Sequence, residues 1–188
     1  MSLSSKSSFR KKILQQRQEI PLPEWHYKSS LISENLQSWS VFQAAEIVLS
    51  YFAFRQEVDL SSLISFDKKW AFPRCVDHSL VWHLWQPGNS LATDRYGIQT
   101  PQEIAPQLNP KQADLILVPC VACDQDGYRL GYGGGFYDRF FSSLEVSVIP
   151  KIGVVFDFAL VPKLPRDLWD IPLDFVCTET QFLTITKH

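Results

Sequence analysis

Apolar and polar positions follow two rhythms along this chain. From Lys6 the spacing is helical: Phe9, Ile13 and Leu14 share one face, while Lys6, Arg10 and Arg17 fall near one another on a neighbouring stripe. Composition alone favours reading that stripe as a solvated basic face. Residues 1–8 are Ser-rich and expected to be loose at the start. Pro21 and Pro23 end the first helix, and Leu31, Ile32, Leu36 and Trp39 predict a second over about 25–45. Then the pattern changes. Residues 47–53 (IVLSYFA) form a short continuous apolar run, as a strand buried on both faces does. A short helical pattern at 60–66 and two further strands at 70–74 and 80–85 follow.

Residues 86–111 are rich in Pro, Gly, Asn and Gln and predict a surface loop, a length more often functional than idle. Beyond it come a buried strand at 115–118, a helix over 136–144, a buried strand at 151–157 and a tail ending in an edge strand. Strand, helix, strand in this order predicts a three-layer α/β/α fold: an open, mostly parallel sheet with crossover helices, a single domain over 1–188. Ligands of such sheets bind beyond the carboxyl ends of strands. The segments after residues 53, 130 and 157 could therefore share one cleft.

The stretch at 114–141 carries the chemistry: DLILVPCVACDQDGYRLGYGGGFYDRFF. Of the chain's 8 glycines, four lie within the five positions from Gly131 to Gly135. Backbone without Cβ atoms can close its N–H groups on a phosphate, and a following helix would present its N-terminus to an anion. Arg129 and Arg139 add positive charge. Asp138, an acid beside a phosphate cradle, is explained by a magnesium ion carried with a nucleotide. Neither the Gly-Lys-Ser/Thr of a Walker loop nor the third glycine of the dinucleotide fingerprint is present. The residues alone say phosphate plus metal, without choosing the nucleotide.

Composition narrows the class. A net charge of −2 argues against nucleic acid, and no apolar run approaches a membrane span. No secretory leader pattern opens the chain, so a cytoplasmic protein is expected. Cys120 and Cys123 are spaced as a redox or zinc pair, but no second pair completes a tetrahedral site. Buried, reduced thiols are expected instead.

The motif RLGYGGGFYDR, preceded by a strand ending in Val-Pro and an Asp-x-x-Gly turn, resembles the signature of the 5-formyltetrahydrofolate cyclo-ligase (5,10-methenyltetrahydrofolate synthetase) family. The family's opening Lys-x-x-Leu-Arg is matched by Lys6-x-x-Phe9-Arg10. The resemblance implies that Lys6 and Arg10 reach ATP phosphates, with Arg129, Gly131, Tyr132, Gly133, Gly134, Gly135, Phe136 and Tyr137 completing the nucleotide site. It implies a magnesium ion on Asp138 and Asp170, catalytic roles for Arg129 and Asp138, and folate contacts from Phe52, Phe54 and Glu57. Where some members carry a Lys in the loop, this chain has Gly134. The family's acidic motif appears as Trp169-Asp170-Ile-Pro-Leu-Asp174-Phe-Val-Cys-Thr178-Glu179, with Trp169 in place of His. Leu60 and Thr100 also depart from the pattern.

The implied reaction is ATP- and magnesium-dependent closure of 5-formyltetrahydrofolate to 5,10-methenyltetrahydrofolate, a step of one-carbon metabolism. The implied partners are small molecules, ATP and the folate with or without a polyglutamate tail, and the protein is expected to be a monomer or weak dimer without nucleic-acid or membrane partners. Two rivals stay open on the residues. One is a sugar-phosphate isomerase or CoA-transferase that binds phosphate without ATP; the other is a folate or nucleotide binding module without turnover.

Overall fold

Leu115, Ile116, Leu117 and Val118 are completely buried at the centre of the protein. Their side chains alternate between two cores, as the period of a strand requires. Leu115 and Leu117 pack with Ile32, Leu36 and Phe42, whereas Ile116 and Val118 pack with Ile13, Phe141 and Val146. A strand clothed on both faces in this way is the middle layer of an α/β/α protein.

The computed structural model describes residues 5–65 and 67–186. The chain opens with α1 (Lys6–Gln18), α2 (Leu22–Ser38) and α3 (Ser40–Ala44), then β1 (Ile47–Leu49), β2 (Lys69–Val76) and β3 (Ser79–Leu84). A hairpin of β4 (Leu91–Thr93) and β5 (Gln99–Pro101) leads to β6 (Leu115–Pro119), β7 (Ala122–Asp124) and β8 (Arg129–Leu130). After α4 (Phe136–Phe141) and α5 (Leu144–Ser147) come β9 (Lys151–Val154), β10 (Leu160–Val161), β11 (Phe175–Cys177) and β12 (Phe182–Thr184). The main sheet has the order β12-β11-β9-β6-β1-β2-β3. Its five inner strands run parallel, while β12 and β3 pair antiparallel at the edges. Helices α2 and α3 cover one face and α1, α4 and α5 the other.

Several local expectations shift. The prolines that stop α1 also start α2, because Pro21 and Pro23 fall at its first turn, where a missing N–H costs nothing. The second helix breaks at Trp39, whose backbone is extended, and resumes as α3. The expected strand over 47–53 stops at Leu49. The link from β1 to β2 is a 3-10 turn, Ser61–Ser65, instead of a full crossover helix, and the expected pattern's last residue, Phe66, lies outside the described residues. The stretch 86–111 is not plain loop, since it holds the β4–β5 hairpin and the 3-10 turn Pro110–Gln112. The helix expected over 136–144 ends at Phe141, and the strand over 151–157 at Val154.

The looseness expected of 1–8 gives way to helix from Lys6, capped by Ser5, whose Oγ accepts from the Ser8 N–H; residues 1–4 lie outside the described set. A small sheet, β10-β7-β8, had no signal in the sequence. Cys120, Cys123 and Cys177 are buried free thiols, while Cys75 is only half-buried. Among the described residues no helix is long and apolar enough to cross a membrane.

Gly153 of β9 leaves no room for a side chain. A Cβ there would stand 2.5 Å from Leu173 Cδ1 and 2.9 Å from Cys123 Sγ. Gly153→Ala should therefore cost about 1–3 kcal/mol and lower the melting temperature by several degrees. An unchanged melting temperature would contradict the packing described.

Candidate functional site

Three segments leave the sheets toward one side of α1, and the basic stripe of that helix holds each of them. At its first turn, Lys6 Nζ donates to Asp167 at 2.7 Å and to Asp170 at 2.5 Å in the tail. One turn on, Arg10 Nε donates to the carbonyl of Gly131 at 2.7 Å. Near its end, Arg17 donates from Nε to the Arg55 carbonyl at 3.0 Å and from a terminal nitrogen to the Tyr132 hydroxyl. The stripe is thus not the solvated basic face that composition favours. It is the side of the helix that meets the tail, the Gly loop and the 54–57 turn.

The Gly loop leaves β8 and ends in α4. Gly133 has φ +101° and Gly135 φ +66°, a left-handed backbone that side-chain-bearing residues rarely adopt. Tyr132, Gly133 and Gly134 are exposed. Among the described residues, the N–H groups of Tyr132, Gly133, Gly134 and Gly135 have no hydrogen-bond partner in the protein. Exposed, unpaired amides in a row form a concavity suited to an anion. The Arg10 guanidinium lies over this loop, 3.6 Å from where a Gly133 Cβ would stand. Arg139 braces the loop from the far side by donating to the carbonyls of Gly134 and His78. Since α4 spans only 6 residues, the loop amides and side-chain cations supply most of the positive field.

Arg129 points inward. Its side chain is 5% exposed, its guanidinium lies 5.5 Å from the ring centres of both Tyr137 and Phe141, and it donates to Asp138 Oδ1 at 2.7 Å. That ion pair holds the acid in the first turn of α4, at the mouth of the loop. Tyr137 is sunk beside it, its hydroxyl buried without a hydrogen-bond partner among the described residues, and burial drives its pKa far above the ordinary range. Phe136 stays at the loop, edge-on to Tyr96 of the β4–β5 turn.

Asp170 is held by a separate set. Its Oδ2 accepts from Lys6 and from the Asp167 N–H at 2.8 Å. Burial works against the Lys6 charge, but the hydrogen bonds and charges of Asp167 and Asp170 outweigh it and hold the ammonium pKa above its usual value. The tail carrying these acids is anchored one step back: Arg166 bridges Asp124 at 3.1 Å and also pairs with Asp126. Asp124, fully buried, further accepts from the Leu164 N–H at 3.0 Å. Asp138 and Asp170 therefore sit in two ion pairs, each engaging one carboxylate oxygen and leaving the other outside those bonds. Among the described residues no three metal-binding side chains cluster. Among the described residues each of the two carboxylates has one oxygen outside its ion pair, a donor of the kind magnesium takes alongside waters and phosphate oxygens.

The third segment is the turn at 54–57. Arg55 and Gln56 both have positive φ, +47° and +55°, an uncommon backbone for non-glycine residues. The turn closes through the Glu57 N–H on the Phe54 carbonyl at 3.0 Å and the Phe54 N–H on Glu57 Oε2 at 3.0 Å. Phe54 faces Tyr132 at 6.0 Å between ring centres and lies beneath Gly97 of the β4–β5 turn. Phe52 is half-buried, stacked on Phe72 at 4.0 Å and edge-on to Trp85. Trp82 belongs to the core.

The departures from the family pattern now have physical readings. Leu60 is buried, and Thr100 is buried against Arg74. Trp169 is exposed beside Asp170. Lys151 is buried in carbonyl contacts and an ion pair with Asp174. Sequence reasoning left Arg17 and Asp167 out of the candidate set. The stripe that carries Lys6 and Arg10 was the available signal for Arg17.

Burial pushes the Glu57 carboxyl up to about 7, against the opposing pull of Arg17 and the Phe54 N–H. The folded protein then holds a proton that the unfolded chain releases near 4.5. That contribution to stability is full below the lower value and is lost as pH rises through the higher one. Relative to Glu57→Gln, the wild type should lose on the order of 3 kcal/mol between about pH 4 and about pH 8. Parallel stability–pH curves for the two proteins would contradict this.

A profile of the 5-formyltetrahydrofolate cyclo-ligase family matches residues 2–179. The chain is 28% identical over 180 residues to a 5-formyltetrahydrofolate cyclo-ligase of Escherichia coli, covering 90% of this chain and 98% of that one. It is 25% identical over 183 residues to one of Haemophilus influenzae, covering 92% and 97%. The NMR structure of Aquifex aeolicus 5,10-methenyltetrahydrofolate synthetase superposes with a TM-score of 0.85 at 33% identity, over 97% of this chain and 94% of that one. With the open α/β sheet, the glycine loop and the α1 stripe in view, these likenesses converge: the chain belongs to the 5-formyltetrahydrofolate cyclo-ligase family of enzymes.

Proposed function

We propose that this protein uses ATP and magnesium to close 5-formyltetrahydrofolate to 5,10-methenyltetrahydrofolate, acting as one domain over residues 1–188 on small molecules of the cytoplasm. The observation that carries the reading is the row of unpaired amides at Tyr132, Gly133, Gly134 and Gly135 beneath the Arg10 guanidinium, with Lys6 and two ion-paired acids alongside. A phosphate cradle explains the amides, and a metal-bearing nucleotide explains the acids.

In this reading the loop amides and Arg10 bind the phosphates of ATP. Lys6 and Asp170 form a pair that can open onto the ligand, since a metal–nucleotide offers each charge an opposite partner and strands neither. Magnesium, held by Asp138 and Asp170, would offset negative charge on the phosphates as ADP leaves. Buried Arg129 fixes Asp138 at the loop and reinforces the positive field from beneath, a role nearer to positioning than to a direct clamp. Phe54 and Phe52 offer aromatic faces for a pteridine, and Glu57 a carboxyl for its polar edge.

The chemistry balances with these parts. The formyl oxygen attacks the γ-phosphorus and the bond to ADP breaks. N10 then attacks the activated formyl carbon, loses its proton, and phosphate departs with the former formyl oxygen. Positioning and charge neutralisation carry most of such a transfer.

Asp138→Asn keeps an oxygen to accept from buried Arg129 and removes the carboxylate charge. It should stay folded, though less stable because buried Arg129 loses its counter-charge, and lower magnesium-dependent turnover at least about a hundredfold, in the range typical of losing one electrostatic stabiliser. Turnover is followed by the rise of methenyl-folate absorbance on mixing protein, 5-formyltetrahydrofolate, ATP and magnesium. Wild-type turnover with an unimpaired, well-folded variant would remove the metal assignment; no ATP-dependent rise with the wild type would remove the proposed reaction.

A further inference from the structure

Arg17 is 2% exposed, and each of its three nitrogens reaches a different segment of the chain. Nε donates to the carbonyl of Arg55 in the 54–57 turn at 3.0 Å, Nη1 to the carbonyl of Cys120 beyond β6 at 3.4 Å, and Nη2 to the hydroxyl of Tyr132 in the glycine loop. Tyr132 closes the circuit, since its hydroxyl lies 3.5 Å from the carbonyl of Phe54. Thus a single planar guanidinium joins the loop assigned to the nucleotide to the turn assigned to the folate. Its rigid fork makes the relative placement of the three acceptors hard to change one at a time.

The two ends of this connection differ in how they are held. The 54–57 turn stores two consecutive left-handed non-glycine residues, a cost of roughly 1–3 kcal/mol each that persists only where neighbours impose it. Arg17 is one of those neighbours, through the Arg55 carbonyl. Tyr132, by contrast, is 40% exposed and stands between Gly131 and Gly133, where the backbone is free to adjust around a ligand. Any ligand that settles into the loop and fixes Tyr132 also fixes Arg17, and Arg17 holds the turn that shapes Phe54 and Glu57. Folding stability alone calls for no such bridge to an exposed tyrosine.

From this geometry, and resting on the reading of the two substrates given above, we propose that Arg17 is a positioning residue that couples the two halves of the cleft, so that nucleotide in the glycine loop tightens binding at the 54–57 turn. Coupling of this kind is reciprocal and commonly amounts to about 5–150-fold in affinity.

The experiment is calorimetric titration of 5-formyltetrahydrofolate into the protein with and without a non-hydrolysable ATP analogue and magnesium, with turnover measured in parallel. In the wild type the analogue should tighten folate binding by about tenfold. In Arg17→Met and in Tyr132→Phe the factor should fall toward one while folate still binds, and Arg17→Lys should recover part of it. Because Tyr132→Phe removes only a hydroxyl at a half-exposed site, it keeps the test open if Arg17→Met does not fold. A structural staple would instead lower the melting temperature of the Arg17 variants and leave the coupling factor unchanged. Turnover with an unchanged factor in the folded variants, or with no coupling in the wild type, overturns this inference alone. A wild type that neither turns over nor binds folate overturns the underlying reading along with it.

Discussion

The structure depends on one set of contacts: a basic stripe on α1 that stitches together segments arriving from different parts of the chain. Lys6, Arg10 and Arg17 lie four and seven residues apart, which on a helix is one face. They bind the acidic tail, the glycine loop and the 54–57 turn in that order. Each contact is an ammonium or guanidinium meeting a carboxylate or carbonyl, partly screened from water, where such bonds are stronger than at an open surface. The sheet supplies the frame, but α1 decides how the loops face one another.

Buried charge elsewhere follows the same logic. Arg129 with Asp138, and Asp124 with Arg166, are pairs in which one member is buried and the other reaches the cleft or the surface. Removing either partner would strand a charge in a poorly solvated place, which costs far more than an exposed pair contributes. The buried members therefore anchor the side chains and backbone they pair with. Glu57 is the exception, a buried acid with no salt-bridge partner among the described residues, and burial pushes its carboxyl up to about 7.

Much of this was legible in the sequence. The run Leu115 to Val118 announced a strand clothed on both faces, and the glycines from 131 to 135 announced a loop of side-chain-free backbone ahead of a helix, because each pattern has few physical alternatives. Lys6, Arg10 and Asp170 were singled out only through the family resemblance, since a charge on a helix face or in a turn is usually solvated, whereas Asp138 stood out by its place beside the glycines. What stayed hidden depends on distant partners. The inward turn of Arg129 is set by Tyr137 and Phe141 packing around it. The early end of β1 is set by the 54–57 turn, whose left-handed residues are Arg and Gln and carry no glycine to mark them. The hairpin β4–β5 was masked by a composition that reads as loop, yet it lies against Phe54 and Phe136 and closes one side of the site.

Amide hydrogen exchange, compared with and without a magnesium-bound non-hydrolysable ATP analogue, tests the stitched cleft most directly. The account predicts slowed exchange in residues 131–136 and 166–170 together with the first turns of α1, and slower exchange in 54–57 once 5-formyltetrahydrofolate is added. Protection confined to segments remote from α1, or no protection at 131–136 under saturating nucleotide, would contradict it.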